Sequence, residues 1–353
     1  MEARTEELLR TQLRKVAPGT RLREALDSII AGRTGALIVI GGEPAIGEIC
    51  NGGFSMDTPF TPQRLFELAK MDGAIILDGE CDRIRKANVH LVPDPSLATS
   101  ETGMRHRTAE RVSRQTEALV ISISQRREVV NLYFDGVRIT LDDVEVALAK
   151  ANQAVRTLER YRSRLDDELR RLTTLEFDDL VTVADVTNVL GRFELVQRVA
   201  REVGRFIAQL GTEGRLIRMQ AEELTANVDE DYVYVLRDYA AEPETRKIAA
   251  ARARLAELTA DKLLEPDVIA PVLGISAATL GPEDHVRPRG FRLLARIPSL
   301  PGSVVTRIVA RFGSLQAILL ASEAELDDVD GVGARRAHAI REGLSRVRVH
   351  STI

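Results

Sequence analysis

The most restrictive feature of the chain is a run of 35 residues, from Asp142 to Glu176, that contains neither proline nor glycine. Its apolar residues recur at helical spacing, and they are Val144, Leu148, Val155, Leu158, Leu165, Leu169 and Leu172. This pattern predicts one long helix whose apolar stripe packs against other helices or against another subunit. Helical patterns continue to about residue 280, and no catalytic motif occurs among them. We therefore interpret residues 141–285 as an all-α spine or linker domain.

The first 140 residues alternate helical patterns with short apolar runs that are typical of buried strands. Two helices are predicted by EELLRTQLRKVAP and LREALDSIIAG, which end at Pro18 and Gly32. A third helix is predicted in TPFTPQRLFELAKMDGAIILDG, followed by a turn at Asp72–Gly73 and a strand. Further strands are predicted by GALIVIGG, ANVHLVPD, ALVISISQRR and VVNLYFDGVRITL. Residues 1–140 are therefore predicted to form an α/β domain with a mixed, largely buried sheet flanked by helices.

Composition narrows the class of protein. A length of 353 residues exceeds the usual size of a single core, so two or three domains are expected. Contents of 44% hydrophobic and 29% charged residues are typical of a soluble globular protein. No segment approaches the ~18 apolar residues of a membrane span, and the N-terminus begins as a charged helix. We expect a cytoplasmic protein with no membrane partner, and buried thiols at Cys50 and Cys81 instead of a disulfide or a metal site.

The C-terminal residues 286–353 differ from the rest of the chain in charge. They contain 11 Arg and no Lys against 6 Asp plus Glu, which gives +5, whereas the whole chain carries −4. A basic segment attached to an acidic body indicates a nucleic-acid partner for that segment. The stretch GPEDHVRPRG at its start is rich in proline and glycine, and is predicted to be a hinge.

Within this C-terminal segment one pattern occurs twice. A short helix, a tight turn and a second amphipathic helix are predicted in LLARIPSLPGSVVTRIVARFGSL and again in ASEAELDDVDGVGARRAHAIREGL. The arrangement is typical of a tandem helix-hairpin-helix domain, whose turns present backbone N–H groups to DNA phosphates without reading the bases. The candidate DNA-binding residues are Pro301, Gly302, Gly331, Gly333, Arg335 and Arg336. The first turn lacks a second glycine, so its phosphate contact is less secure, and protein–protein docking is the alternative use.

Phosphate-binding motifs of the common kinds are absent from the sequence. No Gly-Lys dipeptide occurs, which excludes a Walker A loop, and no G-x-G-x-x-G follows a predicted strand. Two short motifs remain, DGA at residues 72–74 and RHR at residues 105–107. The DGA motif is ordinary turn chemistry on its own, and arginines on a helix are often only a solvated surface. The close spacing of the RHR motif between Gly103 and Thr108 nevertheless suits a polyanion.

These two motifs, with NVHLVPD between them and ALVISISQRR after them, resemble the diadenylate cyclase domain of the DNA integrity scanning protein (DisA) family. Members of that family also carry a helical spine and a C-terminal helix-hairpin-helix domain, so the resemblance covers the whole chain. It implies that two facing cyclase domains make cyclic di-AMP from two ATP molecules and release two pyrophosphates. It further implies an octamer, Mg²⁺ or Mn²⁺ as the cofactor, and branched DNA as a partner.

The resemblance also assigns roles to residues. Those placed at ATP are Gly73, Ala74, Leu91, Met104, Arg105, His106, Arg107, Thr108 and Ser124. Asp72 would bind the metal or draw the proton from the 3′-hydroxyl, and it would form the catalytic group together with the Arg-His-Arg triplet, which holds the triphosphate. Leu91 would contact adenine and Ser124 the phosphates, whereas Met104 would contribute only its backbone and its packing. His106 would either contact a phosphate or orient its neighbours.

Two other functions remain open from the residues alone. The protein could be a non-catalytic, nucleotide-sensing protein that binds or repairs DNA structures. It could also be a nuclease with a metal held by Asp72, Asp78, Glu80 and Asp82. The nuclease interpretation is the weaker one, because three of these carboxylates fall in an apparent turn between strands and no lysine accompanies them.

Overall fold

The computed structural model describes residues 2–126, 128–275, 280–298 and 300–351. The chain divides into two compact units. Unit 1 consists of Met1–Asn152 and Gly204–Arg218, and unit 2 of Gln153–Val203 and Met219–Ile353. The segment that follows residue 140 thus contributes to both units, and the three functional domains stay a prediction.

An eight-stranded mixed sheet forms the centre of unit 1. Its strands are β1 (Ala36–Ile40), β2 (Cys50–Asn51), β3 (Phe54–Pro59), β4 (Ala74–Leu77), β5 (Arg83–Leu91), β6 (Leu119–Ser124), β7 (Val129–Phe134) and β8 (Val137–Thr140). They lie in the order β2-β5-β4-β1-β6-β7-β8, and β3 pairs with β5. Strands β1 and β4 are parallel, whereas the other pairings are antiparallel. Every residue of β1 and β4 is buried, which explains why both strands are entirely apolar.

Helices cover both faces of this sheet. They are α1 (Glu2–Lys15), α2 (Arg21–Ala31), α3 (Ala45–Ile49), α4 (Pro62–Leu68) and α5 (Met104–Gln115). One core packs α1, α2 and α4 on one face and includes Leu26 and Leu65. A second core packs α3 and α5 on the opposite face and includes Ile49 and Val112. The predicted mixed sheet flanked by helices is confirmed, and α5 carries the RHR motif on the second face.

After β8 the chain continues with helices. They are α6 (Val144–Asp178), α7 (Val183–Leu210), α8 (Arg215–Thr225), α9 (Val228–Tyr239), α10 (Thr245–Glu257), α11 (Pro266–Ile269), α12 (Phe291–Ala295), α13 (Gly302–Phe312), α14 (Leu315–Leu320), α15 (Glu323–Asp327) and α16 (Gly333–Ser351). The predicted long helix is confirmed as α6, which has 35 residues. Within the part of the chain that the structure describes, no helix combines the length and apolarity that spanning a membrane requires.

A cluster of buried charged residues joins three helices of unit 2. Arg292 in α12 is completely buried and forms an ion pair with Glu176 in α6. Asp238 in α9 accepts hydrogen bonds from the backbone N–H groups of Gly290 (2.8 Å), Phe291 (2.6 Å) and Arg292 (3.0 Å). Burial, together with the charge of Glu176, raises the pKa of Asp238 to about 7, and the backbone donors oppose that rise. One polar network in the interior therefore connects α6, α9 and α12.

The segment at residues 281–290, predicted to be a hinge, is a loop that is anchored to the rest of unit 2. The N–H group of Val183 donates to the carbonyl oxygen of Asp284 at 3.0 Å. The guanidinium group of Arg289 donates to three backbone carbonyls at the C-terminal end of α9. Because a helix ends with unpaired carbonyls, Arg289 supplies donors that α9 otherwise lacks. These contacts hold parts of the segment in place, and its role as a hinge stays a prediction.

Three smaller predictions are also revised. Strands β2 and β3 were not predicted, and β3 has five exposed residues out of six, so it lacks the apolar run used to find the others. The stretch predicted as one strand, VVNLYFDGVRITL, forms two strands, β7 and β8. Cys50 and Cys81 are free thiols but only partly buried. Burial still raises the pKa of Cys81 to about 11.

Candidate active site

Four neighbouring strands bring Asp72 of the DGA motif close to residues from three other strands at the same end of the sheet. Strands β1 and β4 are parallel, so the residues shortly before them, Gly35 and Asp72, are neighbours at this end. Strands β5 and β6 run in the opposite direction, so their last residues, Leu91 and Ser124, reach the same end. Because adjacent strands lie about 4.8 Å apart, these four residues span roughly 15 Å. Residues far apart in sequence therefore lie side by side at one end of the strands.

The DGA motif forms the sharp entry into β4. Asp72 is exposed, and Gly73 has φ +97°, a conformation that favours glycine. A Cβ at Gly73 would approach the backbone carbon of Asn88 to 2.9 Å and the nitrogen of Val89 to 3.0 Å. Ala74 is 1% exposed, so its side chain is part of the core. The motif thus turns the carboxylate of Asp72 out of the sheet while the backbone passes close to β5.

The RHR motif begins α5 without a side-chain cap. Gly103 precedes the helix in an extended conformation, and no side chain caps its first turn. Met104 is 81% exposed. Free N–H groups at a helix N-terminus carry a partial positive charge and bind anions. The start of α5 is therefore suited to a phosphate.

Arg105 extends from this helix to the end of the sheet. Its Nη1 donates to the carbonyl oxygen of Ile123 at 3.4 Å, next to Ser124. The guanidinium group lies against Gly35, where an added Cβ would overlap it. Gly35 was not singled out in the sequence, where it is only one of the glycines that bound an apolar run. The absence of its side chain lets Arg105 reach the strand ends.

His106 is held from behind by a chain of hydrogen bonds. Its Nδ1 lies 3.1 Å from the hydroxyl of Tyr133 in β7. That hydroxyl donates to the Glu101 carboxylate at 2.9 Å, and Arg138 in β8 donates to the same oxygen at 2.8 Å. Burial, with the Glu101 hydrogen bond, raises the pKa of Tyr133 well above its usual value. Neither Tyr133 nor Glu101 was predicted, because no motif contains them.

Glu110 ties the loop before α5 to the helix itself. Its carboxylate accepts hydrogen bonds from the Thr99 hydroxyl (2.6 Å), the Ser100 N–H (3.1 Å) and the guanidinium of Arg114 (2.7 Å). Burial alone would raise the pKa of Glu110, but these donors outweigh it and the pKa is lowered. The loop that leads into the RHR motif is thus fixed from inside the domain.

The remaining predicted residues lie in different surroundings. Arg107 is exposed on α5, whereas Thr108 is half-buried. Positions two apart on a helix point in different directions, so Arg105 and Arg107 do not share a face. Leu91 is 6% exposed and belongs to the core against α3 and α5. Ser124 is half-buried at the end of β6.

The carboxylates of the nuclease interpretation do not converge. Asp72 precedes β4, whereas Asp78, Glu80 and Asp82 follow its other end, about 13 Å away for a four-residue strand. Asp78 accepts hydrogen bonds from the backbone of Asp82 and Arg83. Among the described residues no group of three His, Cys, Asp or Glu side chains is placed to hold a metal ion. These positions offer no shared metal site.

The candidate DNA-binding residues occupy two helix–helix turns in unit 2. Pro301 and Gly302 lie where α13 begins after α12. Gly331 lies between α15 and α16, and Gly333 is the first residue of α16, with φ of +80° and +64°, respectively. Arg336 donates to the carbonyl of Gly331 at 2.5 Å, so it supports the second turn.

Arg335 is exposed at the start of α16. The second turn has a further contact that the sequence did not indicate, because Arg307 in α13 donates to the Asp330 carbonyl at 2.7 Å. Helix α13, which follows the first turn, therefore supports the second turn, between α15 and α16.

Comparison with known proteins finds matches over nearly the whole chain. A family model described as DisA bacterial checkpoint controller nucleotide-binding matches residues 23–138, and one described as the DisA bacterial checkpoint controller linker region matches residues 141–280. The chain is similar to proteins named DNA integrity scanning protein DisA. That of Symbiobacterium thermophilum is 51% identical, over 96% of this chain and 95% of the relative. That of Carboxydothermus hydrogenoformans is 48% identical, over 95% of this chain and 96% of the relative.

The two family models together span more than half of the chain, and the relatives match nearly all of it. This agrees with the DGA and RHR motifs, which the fold brings to one end of a mixed sheet. The chain belongs to the DisA family, and it is a diadenylate cyclase of that family.

Proposed function

We propose that the protein condenses two ATP molecules into cyclic di-AMP and releases two pyrophosphates. In each half-reaction a 3′-hydroxyl oxygen bonds to the α-phosphorus of the other nucleotide, the bond to pyrophosphate breaks, and the hydroxyl proton passes to a base or to water. Two cyclase domains face each other, each with one ATP, and four such pairs form an octamer. The proposal is supported above all by the convergence of Asp72, Arg105 and Ser124 at one end of the sheet.

Each residue would act by position and charge, which is what phosphoryl transfer mainly requires. Arg105 would offer guanidinium donors to the triphosphate from a fixed place, and Arg107 would do so from the exposed side of α5. Thr108 would add its hydroxyl, and Ser124 would reach the phosphates from β6. Gly73 and Ala74 would let the nucleotide approach the backbone, and Leu91 would contact adenine.

This site fits a divalent metal ion that binds together with the substrate phosphates. Asp72 is a single exposed carboxylate, and Mg²⁺ is typically bound by one or two carboxylates plus substrate phosphates. Mg²⁺ or Mn²⁺ would supply charge neutralisation at the phosphates when bound. Asp72 would hold the metal or accept the proton of the attacking hydroxyl.

The direct test is incubation of the full-length protein with ATP and Mg²⁺ or Mn²⁺, followed by chromatography of the products. Cyclic di-AMP and pyrophosphate in a ratio of one to two are expected. ATP bound but not consumed would favour the alternative, a non-catalytic nucleotide-sensing protein that binds or repairs DNA structures. ADP without cyclic product, or nicked DNA, would contradict the cyclase.

Replacing both Arg105 and Arg107 with Ala should weaken ATP binding at least about 10-fold, because two charge-assisted contacts to the triphosphate are lost. Lys at either position keeps the charge but not the paired donors, so it should restore activity only in part. Calorimetric titration with ATP measures the affinity, and unchanged binding by the double variant would refute the phosphate contacts. Arg21→Ala serves as a control, because Arg21 is also exposed but pairs with Asp82, which follows β4 at the opposite end of the strand.

The C-terminal helix pairs would form a tandem helix-hairpin-helix domain that binds branched DNA. Support comes from the two turns described above, each followed by a helix N-terminus, and from exposed Arg335 beside the second. Backbone N–H groups there would contact phosphates without reading bases. Branched DNA bound in this way would lower the rate of cyclic di-AMP synthesis, and the helical spine would transmit the effect to the cyclase domain.

Arg335→Glu should abolish this response, so a four-way DNA junction should inhibit the unaltered protein but not the Arg335→Glu variant. Deleting residues 286–353 is a poorer test, because it removes Arg292, the buried partner of Glu176, together with the apolar residues that pack against Phe177. Cyclic di-AMP synthesis is measured with and without junction at low salt, where phosphate contacts are strongest. Arg341→Glu is the matched control, since it makes the same charge change on an exposed position of α16 away from the turn. Equal activity of the unaltered protein with and without saturating junction would contradict the coupling.

A further inference from the structure

A row of polar side chains lies behind His106, on the side of α5 that faces the sheet. It consists of Glu101, Tyr133 and Arg138. We infer that Tyr133 and Glu101 are positioning residues for cyclisation, which fix the orientation and the protonated nitrogen of the His106 ring. The inference rests on the proposed cyclase activity and extends it to residues outside both motifs.

The hydrogen bonds define which nitrogen of His106 carries a proton. The Tyr133 hydroxyl has one proton, and it donates that proton to the Glu101 carboxylate at 2.9 Å. Toward the Nδ1 of His106, at 3.1 Å, the hydroxyl oxygen can then only accept. Nδ1 is therefore the donor, and the Glu101 charge favours this arrangement.

The other members of the row are held by the sheet. Tyr133 is completely buried in β7, and Arg138 lies directly opposite it in β8. Arg138 also donates through Nε to Asn131 at 3.3 Å, while the Thr140 hydroxyl donates to the same oxygen at 2.7 Å. The position of the His106 ring is thus set by the strands and not only by the exposed start of a helix.

This anchoring matters because His106 lies between the two arginines of the motif. The rings of His106 and Tyr133 are 6.4 Å apart and tilted by 51°, so a hydrogen bond and not stacking connects them. Losing it would free the ring and the first turn of α5. A shift of about 1 Å in a group that positions substrate is enough to cost on the order of 100-fold in rate.

The test is a double-mutant cycle of Tyr133→Phe and His106→Ala in the full-length protein. Tyr133→Phe should lower kcat roughly 10- to 100-fold, with a much smaller change in the KM for ATP. If Tyr133 acts through His106, the double variant should be no slower than His106→Ala alone, within about threefold. Losses that multiply would overturn the inference while leaving the cyclase assignment intact.

The control is Ser122→Ala. Ser122 is completely buried on the same face of the sheet, and its hydroxyl has no hydrogen-bond partner among the described residues, so its removal should leave kcat unchanged. Should Tyr133→Phe fail to fold, Glu101→Gln replaces it in the cycle, because an amide oxygen can still accept from Tyr133. The Glu101→Gln variant should show a smaller loss, again absent in the His106→Ala background.

The two proposals fail in different ways. No cyclic di-AMP from the unaltered protein would refute the cyclase. The same cycle is then measured as ATP affinity by calorimetry, where additive effects of Tyr133→Phe and His106→Ala would overturn the positioning role. Non-additive effects on affinity would support it independently of turnover.

Discussion

Asp72→Asn should lower the rate of cyclic di-AMP synthesis by roughly 100- to 10,000-fold, because Asn keeps the shape of the side chain but neither binds a cation well nor accepts a proton. The fold should tolerate the change, since Asp72 is exposed and precedes β4. ATP binding should survive in part through the arginines of α5. Steady-state rates and calorimetry on the same preparation separate these two effects.

Glu80→Gln is the matched control for Asp72→Asn. Glu80 is also an exposed carboxylate, and it follows β4 at the opposite end of the strand. Its neutralisation changes the net charge equally, so it should leave the rate near that of the unaltered protein. Near-normal turnover by Asp72→Asn would remove Asp72 from the mechanism. An equal loss in both variants would point to a general effect of charge.

The second large effect concerns stability. Arg292→Met should destabilise unit 2 by about 3–5 kcal/mol, since it leaves the Glu176 carboxylate buried without its cation. Tyr239 still donates to Glu176 at 2.8 Å, but a neutral donor does not replace the charge. Denaturant unfolding followed by tyrosine fluorescence suits this test. Four of the five tyrosines lie in unit 2, and they are Tyr161, Tyr232, Tyr234 and Tyr239.

Two further variants define the cause of that loss. Arg296→Met should cost no more than about 1 kcal/mol, because the Arg296–Asp231 pair, at 3.6 Å, is partly exposed to solvent. Adding Glu176→Gln to Arg292→Met should recover much of the stability, because the side chain left without its cation is then neutral. Equal losses for Arg292→Met and Arg296→Met would show that burial of the Arg292 pair is not what makes it important.

Much of the architecture is predictable from the sequence, because it depends on local pattern. The 35-residue helix α6 follows from spacing and from the absence of helix breakers. Strands β1 and β4 follow from continuous apolar runs, since strands buried on both faces have no polar alternation. Strand β3 was missed because its residues are mostly exposed, and neither signal marks it.

For the candidate site, the sequence predicts the residues of the two motifs but not which residues lie close together. Asp72 and Arg105 were found as members of DGA and RHR, but their proximity depends on the order of β4, β1 and β6 in the sheet. Gly35 and Tyr133 lie outside any motif and gain their importance from a guanidinium group and an imidazole ring that arrive from α5. Such pairings are tertiary, so spacing along the chain does not encode them.

The charge of the C-terminal segment shows another limit of sequence patterns. Several of its arginines form ion pairs with carboxylates of residues 141–285, and they are Arg287, Arg292, Arg296 and Arg348. Part of the surplus of +5 therefore stabilises the protein's own packing instead of attracting a partner. The support for DNA binding rests more on the turns and on Arg335 than on net charge.

The continuity of α6 limits how the chain can change in length. The helix starts in unit 1, where Ala147 and Ala151 are buried, and continues into unit 2, where Leu158 and Leu165 are buried. One residue inserted between Leu158 and Leu165 would rotate the second of them by about 100° relative to the first and shift it by about 1.5 Å along the helix. The two leucines could then not both face the core of unit 2. Insertions or deletions between them should therefore be tolerated only near whole turns, about seven or eleven residues at a time, because these lengths keep both leucines on one face of α6.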